Sequence, residues 1–134
     1  MRPQVSYREI VQPDTPISEE HKANVYCLLQ KLNAIRFRSE IPMQITSGYR
    51  TAQKHRDIYI RKGVAEEKIP WGSYHLIGAA ADIYDPNKTL QEWIKSNLDF
   101  IDRLDLYFES FVATPTWTHI QLFEPRSGNR FFLP

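Results

Sequence analysis

His75 and Asp82 stand seven positions apart, with only Leu76, Ile77, Gly78, Ala79, Ala80 and Ala81 between them. No other stretch restricts the fold as much as this run within WGSYHLIGAAADIYD, residues 71–85. A core strand has no use for the imidazole, and a surface loop has no use for three alanines. Gly78 lets the backbone turn between the two polar residues. The segment AAADIYD then predicts a buried strand with small side chains on one face. The chain is expected to leave a loop at His75, turn at Gly78 and carry Asp82 into a sheet.

The flanking sequence supplies the elements around that strand. Ser18 followed by Glu19 and Glu20 reads as a helix N-cap with an acidic first turn. Val25, Leu28, Leu29 and Leu32 recur at helical spacing, predicting a core helix over 18–35 with Cys27 as a buried structural thiol. MQITSGYR alternates from Met43 and ends on Ser47-Gly48, the pattern of a short strand entering a turn. Thr51 caps a second helix through Arg61, and Gly63 stops it. Residues 64–74 read as a loop. Pro86 and Asn87 break the small-residue strand, and TLQEWIKSNLDFI predicts one helix through Leu90, Trp93, Ile94 and Leu98. Two further strands are expected, over 104–111 and 117–122, joined by a turn at Thr114-Pro115. The tail EPRSGNRFFLP is rich in turn residues and is expected to pack Phe131 and Phe132 on the body. Helices mixed with hairpin-like strands predict an α+β fold, a small antiparallel sheet with helices packed on it.

Length and charge narrow the function classes. At 134 residues the chain reads as a single domain, 1–134, able to bury about two thirds of its unfolded surface. Seventeen basic residues balance sixteen acidic ones, and no basic block is interleaved with aromatics, which argues against a nucleic-acid partner. No run approaches the roughly 20 apolar residues of a membrane span, so no membrane partner is expected. Cys27 is the only cysteine, so the fold does not rest on an internal disulfide. MRPQVSYREIVQPD lacks the apolar core of a signal peptide. Synthesis in the cytoplasm is the corresponding expectation.

His75, Asp82 and His119 have the residue types and placement of a metal site. Two imidazoles and one carboxylate satisfy a catalytic zinc and leave a fourth position open. Zinc in such a site activates water near neutral pH and polarises a carbonyl. His21 and His55 lie in helices rich in charge and read as surface or satisfied polar residues. Asp57 and Asp85 read as helix-face or loop charges.

Three blocks carry a resemblance. SYHLIGAAAD resembles the Ser-x-His-x-x-Gly-x-Ala-x-Asp signature of the M15 zinc peptidases, the D-Ala-D-Ala carboxypeptidase and L-alanyl-D-glutamate endopeptidase group. The fixed positions fall on Ser73, His75, Gly78, Ala80 and Asp82. ITSGYRT resembles that family's upstream Ser-Gly-Tyr-Arg block, with its arginine at Arg50, and WTHIQL resembles its downstream Trp-x-His strand, with His119. The blocks follow the family's order and span 45–122. The implied fold is the small α+β zinc-peptidase domain shared with the hedgehog signalling domain.

The resemblance also implies roles. His75, Asp82 and His119 would bind one zinc ion, and Arg50 would stabilise the oxyanion of the transition state. Ser73, Tyr49 and Trp117 would lie on the substrate side, Ser73 either bonding substrate or ordering its loop. Members of the family carry an acidic general base three positions before the last histidine. This chain has Thr116 there, which cannot take that proton at neutral pH. Glu109, on the preceding strand, is the nearest replacement. The implied activity is hydrolysis of peptidoglycan stem peptides, as a D,D-carboxypeptidase or L,D-endopeptidase, by a phage-encoded lysis enzyme acting on the wall after release. The alternative, favoured by Thr116, is a non-catalytic zinc-binding structural or wall-recognition component of a virion, with other virion proteins as partners.

Overall fold

The computed structural model describes residues 4–134. Among them are five α-helices: α1 (Tyr7–Ile10), α2 (Glu19–Ser39), α3 (Ala52–Arg61), α4 (Thr89–Ser96) and α5 (Leu98–Leu104). Five strands form one sheet: β1 (Ile45–Ser47), β2 (Ala80–Tyr84), β3 (Tyr107–Glu109), β4 (Trp117–Gln121) and β5 (Phe131–Phe132), in the order β1-β2-β4-β3-β5. The fold is α+β, with one small sheet and helices.

The longest helix forms for the reasons its sequence states. Ser18 Oγ accepts from the His21 amide at 3.1 Å, and the buried residues Val25, Leu28, Leu32 and Ile35 repeat every three or four positions. It runs four residues past the expected end and stops where Glu40 takes a left-handed conformation, φ 64°. Cys27 is exposed, contrary to expectation, because it falls just off the stripe that buries Val25 and Leu28. Fully burying an aliphatic side chain of this kind stabilises by about 1.5–3 kcal/mol, and four in one helix make α2 the spine of the core.

The sheet buries one face. Ala81 and Ile83 of β2, Ile120 of β4 and Phe108 of β3 point into the core with Leu90, Ile94 and Ile101 from α4 and α5. Side chains alternate along a strand, so Asp82, Trp117, His119, Gln121 and Glu109 share the opposite face.

Several expectations need correction. The sheet is antiparallel except at its edge, where β5 pairs with β3 in parallel. The tail does pack, but as a strand: Phe131 stacks on Phe108 with centroids 5.4 Å apart, and Phe108 N donates to Arg130 O at 2.8 Å. The helix expected over 89–101 is two helices, broken at Asn97 (φ −133°), whose side-chain amide donates to Trp93 O at 2.8 Å. The strand expected over 104–111 keeps only Tyr107–Glu109, because its first residues close α5. The following turn lies upstream of Thr114-Pro115, at 110–113, closed by Ala113 N donating to Ser110 O. The 64–74 loop contains a single 3-10 turn, Glu66–Lys68, and α1 has no counterpart in the sequence reading.

Asp85 does stand in a loop, between β2 and α4, but as a buried group. It is 4 % exposed, and its carboxylate accepts from the Leu90 and Gln91 amides at 3.1 and 3.0 Å and from Thr118 Oγ1 at 3.1 Å. These bonds cap α4 and tie it to β4. No helix among the described residues is long and apolar enough to cross a membrane.

Candidate metal centre

Strand register builds the centre. In the β2–β4 ladder Asp82 lies directly opposite His119, and in the β1–β2 ladder Ser47 lies opposite Asp82. Directly opposed residues project on the same face. Asp82 Oδ1 and His119 Nδ1 are 2.9 Å apart.

His75 reaches the same spot from outside the sheet. It sits in a short 3-10 helix, Tyr74–Ile77, which Ser73 caps by accepting from the His75 amide at 3.3 Å. Gly78 closes that helix at φ 75°, and a Cβ there would press on His21 O and Val25 Cγ2 at 2.7 Å. The turn expected at Gly78 is therefore present, and packing against α2 also demands glycine. His75 Nδ1 donates to Gly48 O at 2.8 Å, leaving Nε2 3.3 Å from Asp82 Oδ2. Gly48 can present that carbonyl because a side chain at its position would collide with the Ile10 backbone.

Potential ligand atoms of His75, Asp82 and His119 all lie within 4.8 Å of one another, a group that could hold a metal ion. The outer hydrogen bonds select the inward-facing nitrogen of each ring. His119 Nε2 donates to Gln121 Oε1 at 2.8 Å, and Gln121 Nε2 donates to Phe123 O at 2.9 Å, which fixes the amide orientation. Such partners orient metal-binding imidazoles. Phe132 sets its ring edge-on to His119, with centroids 5.9 Å apart at 89°.

Electrostatics follow from burial and these contacts. Burial alone would raise the Asp82 carboxyl, yet the hydrogen bond from His119 and the contact with His75 hold it well below the usual carboxylate range. Burial pushes the His75 imidazole down, outweighing its contact with Asp82. Burial also opposes charge on His119, but the Asp82 hydrogen bond and charge, with Gln121 and Glu109, raise it above the ordinary histidine value. In the metal-free centre the proton thus sits on His119 Nδ1 and is donated to the ionised Asp82, on the atoms that a metal ion would take.

Arg50 closes one side. It is buried, its Nε donates to Ser47 Oγ at 3.0 Å, and its Nη2 lies 3.8 Å from Asp82 Oδ2. Glu109 closes another. Tyr107 pairs with Gln121 and Phe108 with Ile120, so the next step of that register sets Glu109 against His119. Glu109 is half-buried; burial raises its carboxyl, with the His119 charge opposing and the Asp82 charge adding.

An open cleft of about 830 Å³ lies over this face, and Ser73, Trp117, Thr116 and Glu109 line it with His75, Asp82, His119 and Arg50. Tyr49, expected on the substrate side, is not in that lining: its hydroxyl meets His21 Nδ1 at 3.2 Å, against α2. Thr116 is at the cleft, and its carbonyl accepts from the Asp85 amide at 2.9 Å.

Sequence reading missed three contributors. Gln121, two residues from His119 on the same strand face, could have been found by period-two alternation. Phe132 could not, because it reaches His119 only through the parallel β5 pairing. His55 is the satisfied polar residue of the two alternatives and not a surface one: it is fully buried, with Nδ1 3.4 Å from Arg50 Nη1 and Nε2 3.0 Å from Pro70 O, a link to the centre that the sequence does not show. In comparisons with family models, curated proteins and solved structures, none matches this chain.

Proposed function

We propose that the cleft is the active site of a zinc-dependent peptidase that hydrolyses the peptide stems of bacterial peptidoglycan. The observation that carries the reading is the convergence of His75, Asp82 and His119 on the cleft floor, with Arg50 and Glu109 on either side. The order of the three blocks that resemble the M15 peptidases supports it, and so does the small α+β sheet, in keeping with the hedgehog-type zinc-peptidase fold.

The residues present fit zinc. Two imidazoles and one carboxylate, with an open side towards the cleft, are the donor set of a catalytic rather than a structural zinc. Zinc bound there would supply Lewis acidity and an acidified water. The chain's own groups do the rest. His75 Nε2 and His119 Nδ1 offer lone pairs because their other nitrogens donate to Gly48 O and Gln121 Oε1. Arg50 is a buried donor that can hydrogen-bond the oxyanion as the scissile carbonyl becomes tetrahedral. Glu109 takes the proton from the attacking water and returns it to the leaving amine, the work Thr116 cannot do. Ser73 orders the His75 loop through its cap, and Trp117 offers the substrate a flat apolar wall.

Thr116 favours a second reading, a zinc-binding structural or wall-recognition domain of a phage particle. One experiment separates the two. Zinc per chain is measured with and without chelator, and stem fragments released from purified peptidoglycan are followed by mass. Wild type should bind one zinc and release fragments, His119→Ala should lose both, and Glu109→Gln should keep zinc while activity falls about 10²–10⁴-fold. Stoichiometric zinc with no release from several wall chemistries would establish the second reading, and no zinc at all would sink both.

A further inference from the structure

His55 is a fully buried imidazole that the centre does not use directly. Burying an imidazole is costly unless both nitrogens find partners. Here both do. Arginine is a donor only, so Nδ1 must accept from Arg50 Nη1 and Nε2–H must donate to Pro70 O. The ring is flanked by Tyr59 at 4.9 Å and Trp71 at 5.3 Å between centroids.

Those partners belong to two different walls of the cleft. Arg50 stands beside Asp82, whereas Pro70 and Gly72 line the cleft from the 64–74 segment, with Tyr59 from α3 beneath. Arg56 Nε, donating to Glu66 Oε1 at 2.7 Å, anchors the far end of that segment. We propose that His55 is a positioning residue: it holds the Arg50 guanidinium back from Asp82 and couples that placement to the Pro70–Gly72 wall. The proposal rests on the reading of Arg50 as the donor to the developing oxyanion.

The ion pair between Arg50 and Asp82 is poised and not closed. Arg50 Nη2 and Asp82 Oδ2 are 3.8 Å apart, outside hydrogen-bond distance. Ser47 Oγ pins Nε, and His55 Nδ1 pins Nη1, leaving Nη2 as the nitrogen nearest Asp82. Without the His55 acceptor, the guanidinium is free to swing about its bond to Ser47 and close on Asp82. Closure would compete with a metal for the carboxylate and withdraw the donor from substrate.

Two substitutions separate the contacts, since an asparagine amide stands about where Nδ1 stood and a glutamine amide about where Nε2 stood. His55→Asn keeps an acceptor for Arg50 and loses Pro70, whereas His55→Gln keeps Pro70 and loses Arg50. At saturating zinc, His55→Asn should retain near wild-type kcat. His55→Gln should lose about 10–100-fold in kcat, with KM little changed, as expected when a donor acting in the transition state is displaced. Zinc affinity, measured by chelator competition, should fall in His55→Gln and hold in His55→Asn. Equal behaviour of the two variants in both assays would overturn the proposal and leave His55 a packing residue.

The wild-type protein provides a check independent of folding and turnover. Nitrogen-15 NMR should find His55 as the neutral Nε2–H tautomer in the metal-free chain. An Nδ1–H tautomer would overturn the proposal, because Arg50 could not then donate to it. If wild type released no stem fragments, the peptidase reading would fail, while the tautomer and the zinc-affinity contrast would still decide the role of His55.

Discussion

The two faces of the sheet are made by neighbouring residues of the same strands and do opposite things. On one face Ala81, Ile83, Phe108 and Ile120 join the apolar core; on the other Asp82, His119 and Glu109 line the cleft. Phe108 and Glu109 are adjacent in β3 yet answer to different physics. The first is held by burial, which is strong and non-directional. The second is held by register, which sets it against His119 and contributes little to folding. The pleat lets a five-stranded sheet carry a centre of partly desolvated charge without spending core volume on it.

Substitutions in β3 test that division most severely. Phe108→Ala should destabilise the chain by about 3–5 kcal/mol in denaturant unfolding, the cost of an aromatic deleted from a closed core. Chains that remain folded should still bind one zinc. Glu109→Gln, one residue along, should change stability by no more than about 0.5 kcal/mol, so its loss of turnover would be chemical. A large stability loss from Glu109→Gln would break the comparison.

Intermediate effects come from residues that join the faces to the helices. Asp85→Ala removes the acceptor of two α4 amides and should cost about 0.5–2 kcal/mol, read by thermal unfolding. Tyr49→Phe should cost about 0.5–1.5 kcal/mol, the net value of one hydrogen bond, and leave zinc affinity unchanged. Altered zinc affinity in Tyr49→Phe would return that residue to the cleft.

The subtlest test is pH. Asp82 is held below its ordinary range, so its share of stability is complete above the unfolded carboxylate value and is lost as acid titrates the folded group. His119 is raised, so its share is complete below the unfolded histidine value and is lost as pH rises through the folded one. The metal-free protein should therefore be most stable between those limits and weaken on the alkaline side. Zinc affinity should run the other way and increase with pH, because the metal competes with the proton on His119. Thermal unfolding at stepped pH, with and without zinc, reads both, and alkaline weakening that persists with zinc bound would sharpen attention on groups outside the centre.

Much of the frame was legible in advance. Ser18, Thr51 and Gly78 act as caps or turns where local chemistry assigned them, and the spacing of Val25, Leu28 and Leu32 marked the buried stripe of α2. His75, Asp82 and His119 do converge, and Glu109 does come back beside His119. What escaped reading shares one cause. Cys27 was misjudged because flanking composition does not reveal which way a residue faces, and for the same reason the two readings of His55, surface or satisfied polar, stayed unseparated. Asp85 looks like a loop charge until two helix amides and Thr118 are folded over it.

Residue type, turn requirements and hydrophobic period are local properties, so the chain alone marked the caps, the buried stripe of α2 and the polar residues that meet at the cleft. Tertiary structure alone decided the rest. The parallel seat of β5 brought Phe132 onto His119, the β3–β4 register set Glu109 against it, and the fold of 64–74 over α3 brought the Pro70 carbonyl onto His55. Those pairings join residues 10 to 15 positions apart, where nothing in the local sequence specifies a partner. They are selected by which whole arrangement buries the apolar face and leaves the fewest polar groups unpaired.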